Sequence, residues 1–150
     1  MRLPVATLAL VLLFGGLLRF HAIDRFGTGF DELFSVLEAN GLHPGLAAEQ
    51  EPFVLADLRE HDNFRGAANA CIATDGGNGI MYILALHAWT DVFGNSNMAI
   101  RLFSFCCGIM VVVLVFRLAR ELSGDGVQAC LAAGLAALAP ILVDYSQESR

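Results

Sequence analysis

The sequence predicts an all-α integral membrane protein, with about three transmembrane helices and an extracytoplasmic loop that carries juxtamembrane helices. Three observations carry that prediction. The hydrophobic fraction is 56% and the mean hydropathy +0.60, above the roughly 45–50% apolar share of ordinary soluble domains. The apolar residues are gathered into long runs, near residues 3–20, 99–119 and 127–143. Most acidic residues fall instead between His21 and Ala99.

Residues 3–18 are apolar without interruption, with Arg2 before them and Arg19 after. No small-x-small cleavage pattern follows, so the run reads as an uncleaved span rather than a signal peptide. Extended to Phe20, it is the first span. The positive-inside rule puts its N-terminus in the cytoplasm and the next residues outside.

Residues 21–98 are mostly polar and hold Pro44, Pro52 and the turn-forming Asp75-Gly76-Gly77-Asn78-Gly79. Loops of this length are usually functional. Within it, 31–39 reads as a short helix closed by Asn40-Gly41, and 53–60 as another, started after Pro52. Residues 79–93 are apolar but number only about fifteen, against the roughly 20 needed to cross the hydrocarbon core. Met81, Ala85, Ala88, Trp89 and Val92 share one helical face. This piece therefore reads as an interfacial helix, with Trp89 in the aromatic belt.

Residues 99–119 supply the second span, with Arg117 and Arg120 at its end and Ser123-Gly124-Asp125-Gly126 as a turn. Residues 127–143 form the third. Leu131, Leu135, Leu138 and Leu142 line one side of it, and Ala129, Ala133, Ala136 and Ala137 another. Small residues let helices approach closely in a bilayer, so the Ala side is expected to meet neighbouring helices and the Leu side lipid. With 79–93 interfacial, the Arg117 and Arg120 turn lies in the cytoplasm, and Asp144 to Arg150 return to the outside, where Asp31 lies.

The formal net charge of −6 includes no basic stripe, which argues against nucleic acid as a partner. Cys71, Cys106, Cys107 and Cys130 make no CxxC pattern, so the cysteines give little support to a zinc or redox centre. The span interiors carry no charged residues, which argues against an ion or solute path.

Chemistry concentrates in Phe30-Asp31-Glu32-Leu33-Phe34-Ser35. Two carboxylates at a helix start are commonly placed there by the macrodipole alone. Other segments add to them. Phe30-Asp31-Glu32 near the first span is followed in order by Gly77-Asn78-Gly79-Ile80-Met81-Tyr82 and Leu84-Ala85-Leu86-His87-Ala88-Trp89. Then come Phe93-Gly94-Asn95-Ser96, Ala99-Ile100-Arg101-Leu102 and Tyr145-Ser146-Gln147-Glu148-Ser149-Arg150. This order resembles the polyprenyl-phosphate-sugar-dependent glycosyltransferases of the C-type membrane fold. The nearest pattern is the bacterial branch related to protein O-mannosyltransferases and lipid A sugar transferases. Gly79 and Ile80 stand where relatives have two prolines, and Ile83 where they have a second Tyr.

The resemblance implies roles for particular positions. Asp31 matches the catalytic base at the extracytoplasmic face, and Glu32 is its acidic neighbour. Asn78, Tyr82, Arg101, Tyr145, Gln147, Glu148 and Arg150 fall on substrate-binding positions. For Tyr82 and His87, plain packing is the simpler expectation. A carboxylate can take the proton of an attacking hydroxyl, and Arg forks suit a lipid phosphate leaving group, with Arg101 and Arg150 the candidates. Snorkelling of Arg101 to the interface and a belt role for Tyr145 are the structural alternatives.

The implied activity is transfer of a hexose or pentose from a polyprenyl-phosphate donor to a hydroxyl of a lipid, glycan or protein acceptor, in a bacterial or archaeal cell membrane. No protein metal ligands are assigned, and a divalent cation as cofactor is left open. The chain is expected to be the N-terminal part of such an enzyme, inactive in isolation. The competing expectation is a small non-catalytic membrane protein that binds a partner enzyme or lipid.

Overall fold

The computed structural model describes residues 2–21, 30–42 and 63–147. These residues form seven helices: α1 (Arg2–Phe20), α2 (Phe30–Ala39), α3 (Phe64–Asp75), α4 (Ile80–Phe93), α5 (Asn97–Ser123), α6 (Gly126–Leu138) and α7 (Pro140–Gln147). No strand occurs among them. The expected helix over 53–60 lies outside the described residues.

The chain divides into two compact units, one of Met1–Arg25 with Ser104–Glu148, the other of Phe26–Phe103 with Ser149–Arg150. The first is an apolar bundle. Ala129, Cys130, Ala133 and Ala137 of α6 are buried with Val112 and Phe116 of α5, and Leu8, Val11 and Leu12 of α1 pack on them. Leu131, Leu135 and Leu138 stay exposed. The small-residue side of α6 thus meets its neighbours and the leucine side does not, as the pattern predicts. Leu10, Leu13, Phe14 and Leu17 form a similar exposed band on α1.

Among the described residues, only α5, with 27 residues, is by itself long and apolar enough to cross a membrane. It covers the expected second span. The apolar part of α1, Val5–Phe20, is a shorter helix. The expected third span is not one straight helix, because α6 and α7 meet at a bend of 61°. Its cause is local. Ala139 is extended (φ −62, ψ 117), and Pro140 has no N–H to continue the helical bonding. The turn before α6 follows its sequence closely: Gly124 takes φ +68, and Asp125 caps α6 by accepting from the Val127 N–H at 3.0 Å.

The second unit holds α2, α3, α4 and the start of α5. Helix α2 ends as predicted, with Gly41 at φ +75 and its N–H donating to the Glu38 carbonyl at 2.9 Å. Helix α3 lies in a stretch to which the sequence pattern assigns no helix. Asn63 caps it, accepting from the N–H groups of Arg65 and Gly66 at 3.0 and 3.2 Å. It packs through Ala67, Ala70 and Cys71, which are too small to give a hydrophobic stripe. Helix α4 starts within a residue of its expected position. It buries Ile83, Leu86, His87 and Thr90 and leaves Met81, Ala85, Ala88 and Val92 exposed. The apolar face read from the sequence is therefore its outer face, an arrangement suited to an interface.

Candidate functional site

The second unit brings Glu32 and the expected arginine together. Glu32 lies in the first turn of α2 and Arg101 in the second turn of α5. Arg101 Nε donates to Glu32 Oε1 at 3.1 Å, and Nη2 to Oε2 at 3.2 Å. Both side chains are about 3% exposed. A planar fork facing both oxygens of a carboxylate is the arrangement in which an Arg pair is most geometrically demanding. Arg101 therefore does not snorkel to an interface.

The other end of α2 is held as firmly. Asn40 and Asn95 exchange two amide bonds, Asn40 Nδ2 to Asn95 Oδ1 at 3.2 Å and Asn95 Nδ2 to Asn40 Oδ1 at 3.0 Å. Asn40 Nδ2 also donates to the Val36 carbonyl at 2.7 Å. His87, 2% exposed, has Nδ1 2.7 Å from the Ala39 carbonyl. A carbonyl only accepts, so Nδ1 carries the proton. Nε2 then faces Asp91 Oδ2 at 3.6 Å. The Phe64 ring meets the imidazole edge-on at 4.6 Å. Packing and positioning account for His87, as expected. Helix α2 is thus fixed at both ends by buried polar groups of α4, α5 and the segment between them.

Asp31 immediately precedes Glu32 in α2, so the anchored turn is the one that carries it. Tyr82 packs against Phe103 with ring centroids 5.4 Å apart. Trp89 joins the same aromatic group, 5.7 Å from Phe103 and 4.2 Å from Phe93. Its indole N–H donates to the Ala99 carbonyl at 2.8 Å, so its polar end bonds within the protein. Asn78 is exposed in the turn before α4, and its carbonyl accepts the Cys71 thiol at 3.4 Å. Tyr145 is exposed on α7, in the other unit, and the backbone of Gln147 ends that helix. Glu148 and Arg150 lie outside the described residues.

Among the described residues no group of three or more His, Cys, Asp or Glu is placed to hold a metal ion. Sequence reasoning missed the Asn40–Asn95 exchange, although it singled out both residues, one as a helix cap and one within Phe93-Gly94-Asn95-Ser96. It also missed Arg19, which reads in sequence as a flanking charge but is fully buried.

Among the described residues, an all-helical fold with one clear membrane-length helix and a buried acid–arginine anchor at a helix start is the class that fold and site define. The family profile of dolichyl-phosphate-mannose-protein mannosyltransferase matches residues 78–149, a little under half of the chain. That match supports a glycosyltransferase affiliation. No curated protein and no solved structure matches the chain. The matched stretch includes Arg101 but not Asp31 or Glu32, and the Glu32–Arg101 pair joins the two.

Proposed function

We propose that this chain takes part in transfer of a sugar from a polyprenyl-phosphate donor to an acceptor hydroxyl at the extracytoplasmic face of a membrane, with Asp31 as base. The single observation carrying this is the buried bidentate Glu32–Arg101 pair. It fastens the helix turn that bears Asp31 to the part of the chain that matches the mannosyltransferase family. In the reaction the acceptor O–H gives its proton to the Asp31 carboxylate as the oxygen attacks the anomeric carbon. The bond from that carbon to the phosphate oxygen breaks, and the electron pair leaves with polyprenyl phosphate. Arg101, with Nε and Nη2 engaged by Glu32, serves to position the acid. The phosphate contact falls to Arg150, with Tyr145, Gln147 and Glu148 beside it in sequence. Asn78 and Tyr82 belong to the donor side. The N-terminus is cytoplasmic in this arrangement, and α1, α5 and the bent α6–α7 pair are the membrane segments.

The test is sugar transfer in membranes that contain the protein, supplied with labelled polyprenyl-phosphate hexoses and pentoses. Asp31→Asn at unchanged protein level is expected to lower transfer about 100-fold or more. Transfer within twofold of the unaltered protein would remove Asp31 as base. No transfer from any donor by the unaltered protein would sink the reading of this chain as an enzyme by itself, whereas transfer abolished by Asp31→Asn would overturn the expectation that it is inactive in isolation.

A further inference from the structure

The bend between α6 and α7 leaves carbonyl groups at the end of α6 without helical donors. Ala136 would bond to the N–H of residue 140, which is a proline. Ala137 would bond to the N–H of Ile141, which lies beyond the extended Ala139. The next two N–H groups, of Leu142 and Val143, both turn to the Ala139 carbonyl, at 3.0 and 3.1 Å. Arg19 faces the gap from α1. Its Nη1 donates to the Ala137 carbonyl at 2.8 Å and its Nη2 to the Ala136 carbonyl at 3.3 Å. Nη1 also reaches the Gly15 carbonyl of its own helix at 3.1 Å.

Two glycines make room for this. A Cβ on Gly15 would come 3.0 Å from the Ala137 Cβ and 3.3 Å from Arg19 Nη1. A Cβ on Gly108 would come 2.6 Å from the Ser146 Cβ and 3.3 Å from Arg19 Nε. Three elements therefore close on one guanidinium: α1, α5 and the α6–α7 bend. The charge also suits the place, because a helix C-terminus is the negative end of its dipole. In a membrane segment water is not at hand to satisfy such carbonyls, so a protein donor must.

We infer that Arg19 is a positioning residue. It replaces the helix donors that Pro140 and the bend remove, and so fixes the direction in which α7 leaves α6. The placement of Tyr145 and Gln147 on α7 depends on that direction, and this consequence rests on the glycosyl-transfer reading above. The bond replacement itself does not.

The inference makes Arg19 and Pro140 energetically coupled. Alanine at 140 supplies the missing N–H to the Ala136 carbonyl and permits a continuous helix. Four forms of the full chain decide the matter in detergent: unaltered, Arg19→Gln, Pro140→Ala and the double variant, each scored by yield of folded protein, Tm and transfer. Arg19→Gln alone is expected to lower Tm by about 5 °C or more, as buried carbonyls lose their donors. In the Pro140→Ala background the same change is expected to lower Tm by less than half as much. Transfer stays low in the double variant, because α7 then points elsewhere. Should Arg19→Gln fail to fold alone, recovery of folded protein in the double variant is the same result. Equal losses in both backgrounds, or no recovery, overturn the inference. If the unaltered protein transfers no sugar, the Tm cycle still decides the role of Arg19, and only the link to Tyr145 and Gln147 falls with the enzymatic reading.

Discussion

The two units bury an arginine in different ways. In the second unit Arg101 meets a full counter-charge, the fork of Glu32, 3.1 and 3.2 Å away. In the first, Arg19 meets the carbonyl oxygens of a broken helix, at 2.8 and 3.3 Å. The surroundings differ in the same sense. Glu32, Glu38, Asn40, His87 and Asn95 are buried in the second unit, whereas apolar and small residues make up the core of the first. A carboxylate partner fixes orientation by geometry, since only one approach satisfies both oxygens. Carbonyls at a helix end fix a backbone path instead. One arginine therefore holds the first turn of a helix, and the other the course of a segment.

Breaking the first arrangement has the largest expected effect. Arg101→Ala leaves the Glu32 carboxylate buried without its fork, and removing one partner of such a pair costs about 3–5 kcal/mol. Denaturant unfolding in detergent reads this directly. The paired replacement Glu32→Leu with Arg101→Met removes both charges, and stability is expected to return to within about 1 kcal/mol of the start. Transfer then sharpens the assignment. Recovery together with stability makes Arg101 an anchor only, whereas stable protein without transfer gives it a contact to the donor.

The second arrangement breaks more mildly, through Gly108. Alanine there would place its Cβ 2.6 Å from the Ser146 Cβ, and overpacking of this kind costs about 1–3 kcal/mol. Gly134 on α6 is the control, since a Cβ there meets nothing within 4 Å. Gly134→Ala is expected to be neutral or to stabilise by up to about 1 kcal/mol, by helix propensity alone. Equal effects at the two glycines would mean that the close approach of α5 to α7 carries no energy.

How far these features could be read in advance depends on their range in sequence. The helix ends at Asn40-Gly41, Ser123-Gly124-Asp125 and Gly94 are local signals, and each is found where its residues place it. The sidedness of α6 is also local, because leucines and alanines alternate around one helix. Helix α3 escaped because alanine and cysteine pack closely without making a stripe. The Glu32–Arg101 pair spans 69 residues and the Asn40–Asn95 exchange 55, so the sequence supplies the partners but not the pairing. Arg19 escaped for a further reason. An arginine behind an apolar run looks like an interface marker, and nothing nearby shows that a proline more than a hundred residues later leaves it carbonyls to bind.

The smallest effect concerns the titratable side of the second unit. Burial, and after it the Glu38 carboxylate, push the Cys71 thiol above its ordinary range. An acid whose pKa is raised by folding leaves stability intact below the unfolded thiol value of about 8.5. It withdraws stability as pH rises toward the folded value, because the unfolded chain ionises first. Thermal unfolding is therefore expected to show Tm falling as pH rises above about 8.5. Cys71→Ala should remove that part of the fall while leaving the neutral-pH value nearly unchanged, since Ala67 and Ala70 show that α3 packs through side chains of that size. An unchanged slope in Cys71→Ala would assign the alkaline loss to other groups. It would then leave Cys71 as a small packing residue bonded to the Asn78 carbonyl.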